Sequence, residues 1–152
     1  MLPNKLLELN LADDKELDIP AGAVIMFEEM TKGANPHFPK ATVFLRYAMG
    51  NELRTAILKD KLSDLLFELD INVDAGGSWL KLTKDTGEKL VIQTKNVVGR
   101  MTLDEGCQVS VVVGGDVLPF TVKETRRQIK KWSEREVGRP EGLIEMPIPQ
   151  EN

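Results

Sequence analysis

The sequence predicts an α+β protein made of two tandem modules, each a meander of β-strands followed by a helix. Sliding the sequence against itself by 73 positions places Leu7-Glu8-Leu9 on Leu80-Lys81-Leu82 and Val24-Ile25 on Val97-Val98 without a gap. In both stretches apolar and polar residues alternate, as on a half-buried strand, and a helical pattern follows. We therefore expect an internal duplication.

The expected modules cover residues 5–70 and 77–137. The match between them breaks at a loop of different length, resumes at an offset of 66 with Val43 over Val109, and ends at an offset of 64 with Asp60 over Glu124. We expect the two modules to pack as a pseudo-dimer with a shared interior.

Turn residues divide each module into strands. Asp85-Thr86-Gly87 is a hairpin signal, because glycine accepts the positive φ that such turns require. In the second module Gly114-Gly115 separates apolar strands at 107–113 and 117–123. In the first module the corresponding strands are expected at 43–47 and 53–58.

A helix is expected at the end of each module, running to about Leu69 and Val137. Asp60 and Glu124 stand at the starts of these helices, where a carboxylate can cap free amides. In the first helix an apolar stripe predicts burial between the modules, and it consists of Leu62, Leu65, Leu66 and Leu69. The second helix has Ile129 and Trp132 on its inner face and is otherwise basic.

Residues 138–152 form a proline-rich tail that cannot continue the helix. Leu143, Ile144, Met146 and Ile148 make the tail too apolar for a solvated one. We expect it to dock on its own subunit or on a neighbour.

Composition and motifs exclude several classes of protein. At 152 residues, 41% hydrophobic and 29% charged, the chain can fold around a core, and it has no apolar run of the length of a membrane span. A cytoplasmic location is therefore expected. One cysteine, Cys107, and one histidine, His37, cannot build a structural zinc site, and we find no phosphate-binding loop or nucleophile motif. We expect no catalytic residue, no metal and no cofactor; the acidic run from Asp13 to Asp18 is interpreted as a solvated turn.

An insertion at residues 31–40 is the first candidate binding surface, because the second module has only three residues in its place. Inserted loops can vary without disturbing a sheet and often carry function. Asn35, His37 and Phe38 offer an amide, an imidazole and an aromatic face for a ligand or a partner. The alternative is a rigid cover packed by Phe38.

The basic helix is the second candidate. Net charge is −4, but the acidic excess lies in residues 1–76, with 13 acidic and 8 basic residues, whereas residues 77–152 have 12 basic and 11 acidic. Such a helix can engage phosphates or an acidic partner, or it can be a solvated face. The cations concerned are Lys123, Arg126, Arg127, Lys130 and Lys131.

The second module resembles the small flagellar FlbD-type proteins. The resemblance rests on residues 79–92, WLKLTKDTGEKLVI, with Asn96-Val97-Val98, the strand 109–113, Gly115 and Val122-Lys123-Glu124-Thr125. The first module follows the pattern in outline, with Asn10 in place of the threonine and no turn glycine between Leu11 and Asp14. The second module is also similar, more weakly, to the first half of LytTR-type DNA-binding domains. The FlbD resemblance implies a β-rich fold and a non-enzymatic accessory role.

We therefore expect a non-enzymatic binding or adaptor protein that acts through protein partners or self-association, without a membrane. An alternative is a binder of an anionic or nucleotide-like small ligand, held by the insertion and the basic helix. Nucleic-acid binding is a third hypothesis, and a less favoured one.

Overall fold

A computed structural model describes residues 6–31, 36–69 and 79–136, and the expected tail 138–152 lies outside them. The described chain is rich in β-strand, with ten strands, two α-helices and two short 3-10 helices in these ranges. The strands are β1 Leu6–Asn10, β2 Glu16–Pro20, β3 Val24–Glu29, β4 Val43–Met49, β5 Glu52–Leu58, β6 Trp79–Thr83, β7 Lys89–Gln93, β8 Val97–Thr102, β9 Cys107–Val113 and β10 Asp116–Val122. The helices are α1 Leu62–Leu69 and α2 Arg126–Glu136.

The described strands form three antiparallel sheets. The largest has the order β5-β4-β3-β7-β6 and so combines strands from both halves of the sequence. A three-stranded sheet has the order β10-β9-β8, and β1 pairs with β2 in a two-stranded sheet.

Two apolar cores lie between these sheets. The first contains mainly residues of the first half and the helix residues Leu62 and Leu65, but it also takes in Val91 from β7. The second contains mainly residues of the second half and also takes in Ile25 and Met26 from β3. The expected shared interior is therefore two cores, each of which receives side chains from the other half.

One turn of the first half recurs in the second half at the predicted spacing of 73 positions. Asp14 and Gly87, which are 73 positions apart, both have positive φ, at 71° and 107°. An aspartate can adopt this conformation, which explains how the first turn closes without the expected glycine. At the hairpin ends Gly50 and Gly114 have φ of 64° and 63°.

The spacing of the hairpins corrects part of the sequence alignment. Val43 pairs with Leu58 and Cys107 pairs with Val122, so the hairpins correspond at an offset of 64. The expected offset of 66 was wrong by two residues. A shift of two keeps each side chain on the same face of a strand, and the apolar pattern therefore could not detect it.

Asp60 and Glu124 hold strand ends instead of capping helices. The Asn10 amide donates to Asp60 Oδ1 at 3.0 Å, and the Thr83 amide donates to Glu124 Oε1 at 2.8 Å. The cap of α2 is formed by Thr125 Oγ1, which accepts a hydrogen bond from the Gln128 amide at 3.1 Å. Each carboxylate therefore lies one residue before the capping position that the sequence predicted for it.

The junction between the halves lies at β3 and β7. Phe27 is opposite Val91 in this antiparallel pair, and both are fully buried. The Gln93 amide nitrogen Nε2 donates to the Val24 carbonyl at 2.6 Å, and the Lys89 backbone amide donates to Glu29 Oε1 at 2.9 Å. Backbone pairing at this junction connects the halves, and Leu62 and Leu65 of α1 are buried in the core that also takes in Val91.

Candidate functional site: the insertion, the basic helix and an open strand edge

The insertion after β3 borders a cleft on the first half. Phe38 is half-buried and lines a cleft of about 320 Å³, while His37 is exposed and Asn35 lies outside the described residues. The cleft is otherwise lined by Leu11, Asp13, Leu17, Phe44, Tyr47, Thr55, Ala56 and Ile57. Phe38 therefore forms one wall of this cleft.

The lining of this cleft limits the ligands that it suits. Aromatic rings provide flat apolar surface, but the charged group in the lining is the carboxylate of Asp13. A carboxylate repels an anion, so this cleft by itself does not favour the anionic ligand of the sequence analysis. None of the five predicted helix cations lines it.

The basic surface lies around the start of α2. Lys123, Arg126 and Arg127 are exposed, and Lys130 and Lys131 are partly buried. Ile129 is fully buried in the second core, as its inner-face position predicts. The side chain of Trp132 lies outside the described part of the chain.

The acidic turn between β1 and β2 is occupied by ion pairs. Asp14 Oδ1 lies 2.6 Å from Lys59 Nζ and 3.9 Å from Lys40 Nζ. Hydrogen bonding from Lys59, with the charge of Lys40, lowers the pKa of Asp14. Among the described residues no group of three or more acidic, histidine or cysteine side chains could hold a metal ion.

Cys107 is fully buried in the second core. Burial raises the pKa of its thiol, which keeps it in the protonated, unreactive form. This agrees with its predicted place as a small core residue.

An open strand edge at β8 is the feature that the sequence analysis missed. β8 occupies the position in the second half that β3 occupies in the first, and both contain a register shift at the same point, Val24/Met26 and Val97/Gly99. β3 pairs on both sides, with β4 and β7, whereas β8 pairs only with β9 among the described strands. The outer backbone groups of β8 are thus left without a strand partner in this part of the chain.

Side-chain exposure differs in the same way. Ile25 on β3 is 8% exposed, whereas its counterpart Val98 on β8 is 58% exposed. Met101 is 51% exposed on the same strand. Apolar side chains beside an unpaired edge are typical of an interaction surface, because natural edge strands are usually protected.

Another edge strand, β10, does carry such protection. Pro119 lies in the middle of β10, opposite Ser110 of β9. Proline has no amide to donate, so it prevents regular pairing on the outer side of the strand. β8 contains no proline.

These features describe a β-rich protein with two linked cores and an unprotected strand edge. No helix within the described ranges has the length and apolar character that crossing a membrane requires. Comparison with known protein families, with curated proteins and with solved structures finds no match for the chain.

Proposed function

We propose that this chain is a non-enzymatic binding protein that recognises an extended protein segment at the open edge of β8. The observation that carries the proposal is the difference between β3 and β8: equivalent strands, one paired on both sides, the other open with Val98 and Met101 exposed. A strand added to this edge would gain backbone hydrogen bonds and cover both apolar side chains. This is recognition by β-augmentation.

We further propose that the two halves arose by internal duplication and pack as a pseudo-dimer. Support comes from matched details that core patterning does not require, including the φ values of Asp14 and Gly87. Isolated bridges also match, with Leu11 opposite Leu58 and Lys84 opposite Val122. Duplication explains the origin of the open edge. Of the two copies of this strand, β3 pairs with β7, whereas β8 has no corresponding partner among the described strands.

The direct test is selection of binding peptides from a display library on the immobilised full chain. We expect enriched peptides to alternate apolar and polar residues, because an added strand presents every second side chain to the same face. The double variant Val98→Lys/Met101→Lys should bind the enriched peptides at least tenfold more weakly. Hydrogen exchange of the complex should show new protection of β8 amides.

Val117→Lys is the matched control. Val117 is 57% exposed, like Val98, but it lies on β10, where Pro119 interrupts the edge. This variant should retain peptide affinity. Equal loss in both variants, or protection confined to other strands, would show that β8 is not the binding edge.

A further inference from the structure

We infer that the segment recognised by β8 is strand β2 of a second copy of this chain, paired antiparallel with Arg100 opposite Asp18. The inference rests on the proposed function, because it names the partner of the same edge. It is carried by the register of the β3–β7 pair together with the charge and exposure of β2 and β8.

The β3–β7 pair provides a template for the register. In it Met26, Phe27 and Glu28 are opposite Ile92, Val91 and Leu90. Moving β3 forward and β7 back by the repeat of 73 positions converts this pair into β8 and β2. The resulting pairs are Gly99 with Ile19, Arg100 with Asp18, and Met101 with Leu17.

The side chains in this register are complementary. Arg100 and Asp18 bring opposite charges together, which favours a cross-strand pair. Met101, which is exposed, is opposite the partly buried Leu17. Each strand has one unpaired edge in the described chain, since β2 pairs with β1 and β8 with β9.

The same register distinguishes the proposed β8–β2 contact from the buried β3–β7 junction. Arg100 and Asp18 stand where Phe27 and Val91 are fully buried in the first junction. Two charged residues cannot form a dry core without a large desolvation cost. A contact between separate molecules can keep such a pair at its solvated rim.

Strand β2 of a second copy is a better partner for β8 than β2 of the same chain. Segments of one chain have a high effective concentration for each other. In the described chain β3 and β7 nevertheless pair with each other, whereas β2 and β8 do not. Gln93, whose side chain bonds across the first junction, is replaced by Pro20 at the corresponding position in β2. A β8–β2 pair therefore lacks a bond that the β3–β7 pair has, within one chain or between two, and only a second molecule is free of the constraint imposed by the fold.

Charge exchange tests this arrangement with the full chain. Arg100→Asp and Asp18→Arg should each reduce self-association at least tenfold in sedimentation experiments, because each places like charges opposite one another. An equimolar mixture of the two variants should recover association, since every β8–β2 contact between unlike chains is then complementary. Recovery also shows that both variants are folded.

Cysteine pairing tests the register and the choice between chains. Asp18→Cys chains mixed with Arg100→Cys chains should form a disulfide-linked dimer, and neither should do so alone. Val117→Cys mixed with Asp18→Cys is the control and should not link. A chain carrying both Asp18→Cys and Arg100→Cys should form linked oligomers; an intramolecular disulfide in a monomer would overturn the proposal.

The failures of the two proposals can be distinguished. A chain that stays monomeric and uncrosslinked but captures peptides at β8 contradicts the second-copy inference and leaves the binding edge in place. A monomer whose β8 amides are already protected from exchange contradicts both, because another segment of the same chain then covers the edge.

Discussion

At the scale of single residues, Glu28 connects both halves. Its carboxylate lies 2.9 Å from Arg46 Nη1 and 2.8 Å from Lys84 Nζ, and all three side chains are less than a quarter exposed. Arg46 also stacks over Phe120 of β10, with its guanidinium carbon 5.7 Å from the ring centre. Burial works against the charged form of Glu28, but hydrogen bonds from Lys84 and Arg46 outweigh it and lower its pKa.

Glu28→Gln should therefore destabilise the protein in a pH-dependent way. Because the pKa of Glu28 is lower in the folded state, its carboxylate stabilises the fold at pH values above the unfolded pKa, which is near 4.5. That contribution is lost as the pH falls through the folded pKa. At pH 7 we expect a loss of about 1–3 kcal/mol in the free energy of unfolding, because both cations lose the carboxylate charge and one of them loses its acceptor oxygen. Urea unfolding at pH 7 and pH 3 measures whether the difference between variant and wild type shrinks in acid.

Glu52→Gln serves as the matched carboxylate-to-amide control. Glu52 lies 2.8 Å from Arg54, but both side chains are more than half exposed. Exposed ion pairs contribute little. The variant should unfold like the wild type at both pH values, and a loss equal to that of Glu28→Gln would contradict the role given to burial.

At the scale of elements, the sequence predicts the strands well and their pairing poorly. Alternation and turn glycines place strands at 107–113 and 117–123, and the structure has Cys107–Val113 and Asp116–Val122. Local patterns contain that information because each strand buries one face. The partner of an edge depends on distant residues, so neither the β3–β7 pair nor the open edge of β8 could be found from local alternation.

The same contrast between local sequence patterns and long-range pairing applies to the predicted functional residues. The loop residue Phe38 does line a cleft, together with side chains of β4 and β5 such as Phe44 and Ala56. The sequence does contain a signal for β8, since a shift of 73 positions puts Arg100 at the position of Phe27. A charge in place of a buried aromatic indicates a strand with a different environment.

α2 begins with a side-chain cap, and the same kind of cap can be introduced at the start of α1 by substitution. Thr125 and Gln128 form a reciprocal cap on α2, with the Thr125 amide donating to Gln128 Oε1 at 2.9 Å. The equivalent position in α1 is Lys61, whose side chain cannot accept a hydrogen bond. Lys61→Thr should add a cap and raise the free energy of unfolding by about 0.5–1 kcal/mol.

Thermal and urea unfolding of Lys61→Thr should be compared with Lys61→Ala. Both substitutions remove the same positive charge from the first turn, but only threonine supplies an acceptor for the free amides. If the two variants gain equally, removal of the charge accounts for the effect and the cap does not form.

At the scale of the whole molecule, the two cores depend on each other. β7 contributes Val91 to the first core, and β3 contributes Met26 to the second. Both side chains are fully buried. Each core is therefore completed by side chains from the other half. Removing β7 from the first core, or β3 from the second, would expose apolar surface.

Because each half contributes side chains to the other's core, we predict that the halves unfold together. Val91→Ala should lower the free energy of unfolding by about 2 kcal/mol from lost apolar burial, and Met26→Ala by about 2–5 kcal/mol. In both variants native-state hydrogen exchange should accelerate equally in β4 and β9, one strand from each core, because global unfolding is shared. Leu45→Ala, in the first core and within its own half, is the control and should give the same shared acceleration. Faster exchange in β4 alone after Val91→Ala would mean that the first core opens independently, and the β3–β7 junction would then be a contact between two autonomous units.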